Sequence, residues 1–318
     1  MAYSRLRRWW HDRLPATDAL TLTQGNIYIL PSKAGVTFAL TLALMLVASI
    51  NYQLSLGYAL TFLLAGAGLT SMILTHRVLR GLSLRLRPPQ AVFAGAPAML
   101  EIAVQSAGRR GHGLGFALLE PEVGRHQRIW VRLEVPPAGE ARVQLAWTPP
   151  HRGVHRLPLL IAETRYPFGL FRAWTLWRTQ SPLLAYPAPE QPPVPLPRAQ
   201  ASGPDAPAGR REGGGDLEGV RAYQRGDALR RIVWKKAARS GELVSRDTAT
   251  PARQQLWLDF EQLRLNDPEG RLSRLAAWVL QAEARGLQHG LRLPGREIAP
   301  GQGEVHCRQA LEALALWS

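Results

Sequence analysis

Three cations recur every four residues in one stretch of this chain: Arg231, Lys235 and Arg239. On a helix that spacing stacks them on one face, where they repel unless something negative lies opposite. Either Asp216, Glu218 and Glu242 neutralise them within the fold, or an external anionic surface does; spacing alone leaves both open. Trp234 lies one turn beyond Arg230, so an aromatic ring borders the basic stripe. Asp227 is placed to cap this helix and Gly241 to end it. Leu229, Ile232, Val233 and Ala237 form its apolar face. The chemistry such a surface offers is recognition of an anion, not bond-making.

Other reactive sets are incomplete. There is no Gly-x-x-x-x-Gly-Lys-Ser/Thr loop to cradle phosphates and no His-Glu-x-x-His zinc motif. Gly213–Gly215 does not complete Gly-x-Gly-x-x-Gly, because Glu218 stands where the third glycine belongs. Cys307 beside His306 has the residue types of a nucleophile and base. Neighbours at a helix start seldom share a catalytic geometry, so Cys307 is read as an ordinary helix residue. His151 and His155 sit among Pro149, Pro150 and Pro158, which argue against a helix, and a metal site needs a third ligand. No catalytic residue, metal set or cofactor follows, and the expectation is a binding or assembly module, not an enzyme.

The elements that position the basic stripe begin in an apolar run. From Ala34 to Thr75 no Asp, Glu, Lys or Arg occurs, which is enough for two crossings at about 20 residues each. Residues 34–50 and 54–74 are the expected spans, with Asn51-Tyr52-Gln53 as the hairpin between them. Gly57, Gly66 and Gly68 supply small faces for close helix approach. The run starts too late for a signal peptide, and a second span follows at once. Arg5, Arg7, Arg8, Arg13 and Lys33 precede the hairpin; Arg77, Arg80, Arg85 and Arg87 follow it. The positive-inside rule then puts both termini on the cytoplasmic side of the membrane. The net charge of +15 favours anionic partners in general, including lipid headgroups. A single cysteine excludes an intrachain disulfide.

Residues 1–33 read as a basic cytoplasmic segment, 77–186 as a β-sandwich-like domain, 187–209 as an extended, poorly packed Pro-rich linker, and 210–318 as a small α/β domain. Leu82, Leu84 and Leu86 alternate with Ser83, Arg85 and Arg87; 99–104 and 142–147 alternate more loosely, with Gly/Pro turns between. Trp130, Trp147, Trp174 and Trp177 are read as core or sheet-covering residues. In the last domain, 255–260 and 291–293 read as strands and 271–285 as a helix capped at Asp267-Pro268 and stopped by Gly286. A helix over 307–317 closes the chain. Strand, helix, strand, helix predicts a parallel sheet, completed by 217–223 and 243–246 if two strands are too few.

The stretch from Asp216 to Asp247 resembles the signature of the DUF58 family, bacterial proteins commonly encoded beside MoxR-type AAA+ ATPases. The matching positions include Gly219, Arg221, Tyr223, Gly226, Asp227, Arg230, Ile232, Trp234, Lys235, Ala238, Arg239, Gly241 and Leu243. Arg152-Gly153, Pro167-Phe168-Gly169-Leu170-Phe171 and Tyr186-Pro187 resemble the segments that lead up to it. The resemblance implies a von Willebrand factor A-like C-terminal region and a role beside the ATPase in assembling or remodelling other proteins. Such domains bind a divalent cation through Asp-x-Ser-x-Ser, whereas 259–263 here is Asp-Phe-Glu-Gln-Leu, without serines; a cation site is not expected there. The region after Asp259 is short enough for the domain to be truncated. The fold expected is therefore a membrane-anchored α+β chain: hairpin, sandwich, then a small von Willebrand A-like unit. The contrasting reading is a membrane-bound nucleic-acid binder using the 228–240 stripe.

Overall fold

The computed structural model describes residues 14–108, 110–120, 124, 127–197, 200–201, 219–222, 244–247 and 254–317. The chain divides into two compact units, Met1–Ala188 with Glu312–Ser318, and Pro189–Leu311. In the first unit, β1 (Ala19–Thr21), a 3-10 turn (Gln24–Asn26) and β2 (Tyr28–Pro31) precede two long helices. These are α1 (Lys33–Asn51) and α2 (Ser55–Leu79), both long and apolar enough to cross a membrane. There follow β3 (Leu82–Leu86), β4 (Val92–Phe93), β5 (Ala98–Ser106), β6 (Gly111–Leu119) and β7 (Val131–Val135). β8 (Glu140–Trp147), β9 (Gly153–His155), β10 (Leu159–Thr164), β11 (Phe171–Trp177) and β12 (Leu183–Tyr186) complete the unit.

The helical hairpin is tight. Tyr52 caps α1, and Gln53 takes a φ of 49°, a left-handed turn before α2 begins. Of the expected small faces, Gly57 and Gly68 do meet α1. A Cβ on Gly57 would lie 2.2 Å from Ser49 Oγ, and one on Gly68 would lie 3.2 Å from the Phe38 ring. Gly66 has open space.

Two sheets enclose the main core, ordered β1-β3-β5-β8 and β2-β11-β10-β6-β7. Alternation puts Leu84, Leu100, Ile102 and Leu145 inward from the first sheet, and Leu114, Phe116, Leu160 and Trp177 from the second. Trp147 and Trp177 lie in this core, whereas Trp130 and Trp174 cover Ala117, Leu119 and Ile161 on the other face of the larger sheet. A third sheet, β4-β12-β9, brings Gly153 opposite Ala185, so the Arg152-Gly153 and Tyr186-Pro187 segments become neighbours.

The expected boundary between a separate 1–33 segment and a sandwich beginning at 77 does not match these pairings. β1 lies antiparallel to β3, with Ala19 opposite Arg85, and β2 lies antiparallel to β11, with Tyr28 opposite Trp174. Asp18 strengthens this tie: its carboxylate accepts hydrogen bonds from the N–H groups of Gln180 and Ser181 and from the Ser181 hydroxyl. Burial opposes ionisation of Asp18, but those bonds outweigh it and hold the carboxyl below its usual range. Sheet ladders need backbone partners, and residues 19–31 find theirs beyond the helices.

The second unit contains β13 (Gln200–Ala201), β14 (Gly219–Ala222), β15 (Val244–Asp247), β16 (Gln254–Asp259), α3 (Pro268–Ala284), β17 (His289–Leu293) and β18 (Arg296–Gly301); α4 (Glu304–Leu316) follows. Its main sheet is mixed, correcting the expected parallel one. β16 and β17 are parallel, but β18 returns antiparallel through Pro294-Gly295, and β13 pairs antiparallel with β16. Among the described residues, 219–222 and 244–247 do not join that sheet. β14 and β15 pair with each other, Arg221 opposite Ser245. Helix α3 starts as expected, Asp267 accepting bonds from the N–H groups of Glu269 and Gly270. Its buried stripe is Leu272, Leu275, Ala276 and Val279. The first residues of the expected linker are held on α3. Arg274 grips Glu190 through two bonds of 2.8 Å, and Trp278 and Gln281 donate to the Val194 carbonyl.

Candidate functional site

The basic stripe lies outside the described residues, as do Tyr223, Gly226, Asp227, Arg230, Arg231, Trp234, Lys235, Arg239 and Gly241. Of the signature positions, Arg221 sits on β14, whose ladder with β15 brackets the stretch. Arg5, Arg7, Arg8 and Arg13 also fall outside.

The described chemistry gathers where the helix pair meets the sandwich. Ser32 caps α1: its Oγ accepts from Gly35 N–H at 3.1 Å and donates to the Gly169 carbonyl. The Ser32 N–H donates to the Leu170 carbonyl at 2.8 Å. On α2, the buried Thr75 hydroxyl lies 2.8 Å from the carbonyls of both Ser71 and Tyr166. The turn 165–170, which overlaps the Pro167–Phe171 segment noted in the sequence, is thus bonded to both helices. It approaches α1 so closely that a Cβ on Gly35 would sit 2.0 Å from the Leu170 oxygen. Tyr166 stacks on His112 with ring centroids 4.8 Å apart, while Phe168 is 66% exposed at the tip. A helix terminus leaves backbone groups without intrahelical partners; here the turn and the cap serve them.

Beside this turn-bound face, another face of the last turns of α2 opens onto a groove of about 950 Å³. Met72 and Ile73 line it toward the interior of α2, His76, Arg77 and Arg80 line it at the helix end, and Ile27 and Ile29 line it from the segment that packs on the sandwich. No carboxylate lines it, and among the described residues neither arginine has an ion-pair partner. Composition alone marks these cations as membrane flanks; it does not reveal the groove, because Ile27 and Ile29 come from the other side of the helix pair in sequence.

The remaining candidates separate. His155 Nε2 bonds to the His151 carbonyl at 2.6 Å, with the two rings 4.5 Å apart. Among the described residues no group of three or more His, Cys, Asp or Glu could hold a metal ion. Cys307 is buried; burial raises its thiol pKa, and Glu283 and Glu304 raise it further, opposite to what a nucleophile needs. His306 Nε2 is occupied by the His289 carbonyl at 2.7 Å. Asp259 folds back on its own turn, accepting from Glu261 N–H and Gln262 Nε2. No protein-family model matches the sequence, and no curated protein is significantly similar to it.

Proposed function

We propose that this chain is a membrane-tethered interaction module. Its helices form a two-crossing hairpin in a bacterial inner membrane, with both flanks cytoplasmic. Its Asp216–Asp247 region acts with a MoxR-type AAA+ ATPase in assembling or remodelling envelope proteins. The observation that carries the topology is the strand pairing across the helix pair. β1 and β2 precede α1, β3 and β11 follow α2, and each pair shares a sheet. Backbone hydrogen bonds cannot run through a bilayer, which supports both flanks on one side and two crossings.

Solvation of the helices supports crossing over a soluble hairpin. Val36, Leu40, Leu44, Val47 and Ile50 on α1 are more than half exposed, as are Leu56, Phe62, Leu63, Leu69 and Ile73 on α2. Leaving so many half in water forfeits about 1 kcal/mol each. Their sum rivals the whole stability of a domain, roughly 5–15 kcal/mol. In lipid this penalty vanishes. The flanking cations Lys33, Arg77, Arg80, Arg85 and Arg87 support the cytoplasmic side.

The partner is supported by the resemblance of 216–247 to the DUF58 signature. Its test uses the full chain in detergent, because a fragment starting at 77 lacks β1 and β2. A MoxR-type ATPase encoded beside it should be retained on the immobilised protein in one nucleotide state. Reversing the stripe with Arg231→Glu and Lys235→Glu should abolish retention. Absence of retention with ATP, ADP and no nucleotide would overturn the partnership.

A further inference from the structure

Helix α2 is longer than a bilayer core requires. Its 25 residues span about 37 Å at 1.5 Å per residue, against a hydrocarbon thickness of about 30 Å. Roughly one to two turns therefore project into the headgroup layer, and the charged end, His76 to Arg80, is the part that projects. Met72 and Ile73 precede Arg77 by about one turn, so the groove beside them grades from apolar to cationic along the bilayer normal. Ile27 and Ile29 wall it on the side of the sandwich, from the segment before the hairpin.

We propose that this groove binds the phosphodiester headgroup of an anionic phospholipid, with Arg77 and Arg80 on the phosphate and the acyl chains against Met72 and Ile73. Three observations select that occupant. The two guanidiniums, exposed and without carboxylate partners among the described residues, present donors suited to phosphate oxygens. The lining contains no carboxylate to repel an anion. The change from apolar to cationic follows the order of a lipid's own parts, which a water-soluble anion would not use. The volume, about 950 Å³, falls at the upper end of the range for small-molecule sites.

The inference rests on the two-crossing reading, and the two fail differently. A chain that does not cross is released from membranes by alkali, whereas a crossing chain without this site stays but shows no lipid preference. The test is native mass spectrometry of the full-length protein in detergent, titrated with phosphatidylglycerol or phosphatidylcholine of equal chain length. Glycerol 3-phosphate serves as a soluble competitor. Selective retention of phosphatidylglycerol is expected, and Arg77→Gln with Arg80→Gln should weaken it about 30-fold, two cations at about 1 kcal/mol each. Gln24→Glu, an exposed change on the groove rim, should weaken it without touching the helix. Arg85→Gln, a cation outside the groove, should not. Equal binding of the two lipids, equal loss in the Arg85 variant, or full displacement by millimolar glycerol 3-phosphate would each overturn the proposal.

Discussion

Gly35, Gly57 and Gly66 look alike in the sequence, yet their surroundings differ enough to rank them. Alanine at 35 meets a backbone oxygen at 2.0 Å, which cannot move aside without unseating the 165–170 turn. Alanine at 57 meets the Ser49 hydroxyl, a single side-chain atom that can rotate, and alanine at 66 meets nothing. Thermal unfolding in detergent should show Gly35→Ala losing about 1–3 kcal/mol, Gly57→Ala less, and Gly66→Ala no more than about 0.5. His289 gives a second residue-level test. It is fully buried, its Nδ1 donates to the Leu287 carbonyl, and among the described residues its Nε2 has no hydrogen-bond partner. Burial lowers its pKa from the usual 6.5; the Leu287 carbonyl and Glu283 oppose this, and nearby His306 adds to it. Because the folded pKa is depressed, the neutral ring's contribution to stability is intact above about pH 6.5 and is lost as pH falls toward the folded value. Hydrogen exchange at β17 should accelerate over that window, and His289→Leu should flatten the dependence. An unchanged acid response in that variant would assign it to another group. The sequence showed eight scattered histidines; that His289 is buried depends on contacts that spacing does not encode.

At the scale of elements, caps were readable and docking was not. Asp267-Pro268 announces α3 because an N-cap carboxylate and a first-turn proline act locally. Asp267→Ala should cost about 1 kcal/mol, read as faster amide exchange in the first turns of α3. The Pro-rich composition after Tyr186 signals an extended chain, and extension is compatible with the bonds Glu190 and Val194 make to α3. The hydrogen bonds from Arg274 hold the Glu190 carboxyl below its usual range, against a smaller opposing effect of burial. Glu190→Ala should therefore speed proteolysis within 189–195 while α3 keeps its protection, at a stability cost of about 1 kcal/mol or less. Unchanged cleavage would show that Trp278 and Gln281 suffice. Strand β18 went unread because Arg296–Gly301 carries little apolar alternation, although Pro294-Gly295 is a turn signal that could have found it.

For the whole molecule the decisive test is topological, and the single buried Cys307 makes it clean. Maleimide should leave the parent chain unlabelled. Cysteines at the exposed positions Thr21, before the helices, and Met99, after them, should label from the same membrane face. One at Gln53 should label only from the opposite face. Labelling of Gln53 together with the others would mean that the helices do not cross. By itself the sequence determined that two long apolar helices turn back at Asn51-Tyr52-Gln53, that a β-rich body follows, and where α3 begins and ends. Each of these is written in consecutive residues, as an uncharged length, an alternation or a cap. Only the tertiary structure decided that residues 19–31 join the sandwich, that the 165–170 turn is bonded to the feet of both helices, and that a cationic groove opens beside α2. Three- and four-residue strands are too short to show a period, and their stability comes from ladders to partners across the hairpin, a distance along the chain over which local pattern carries no information.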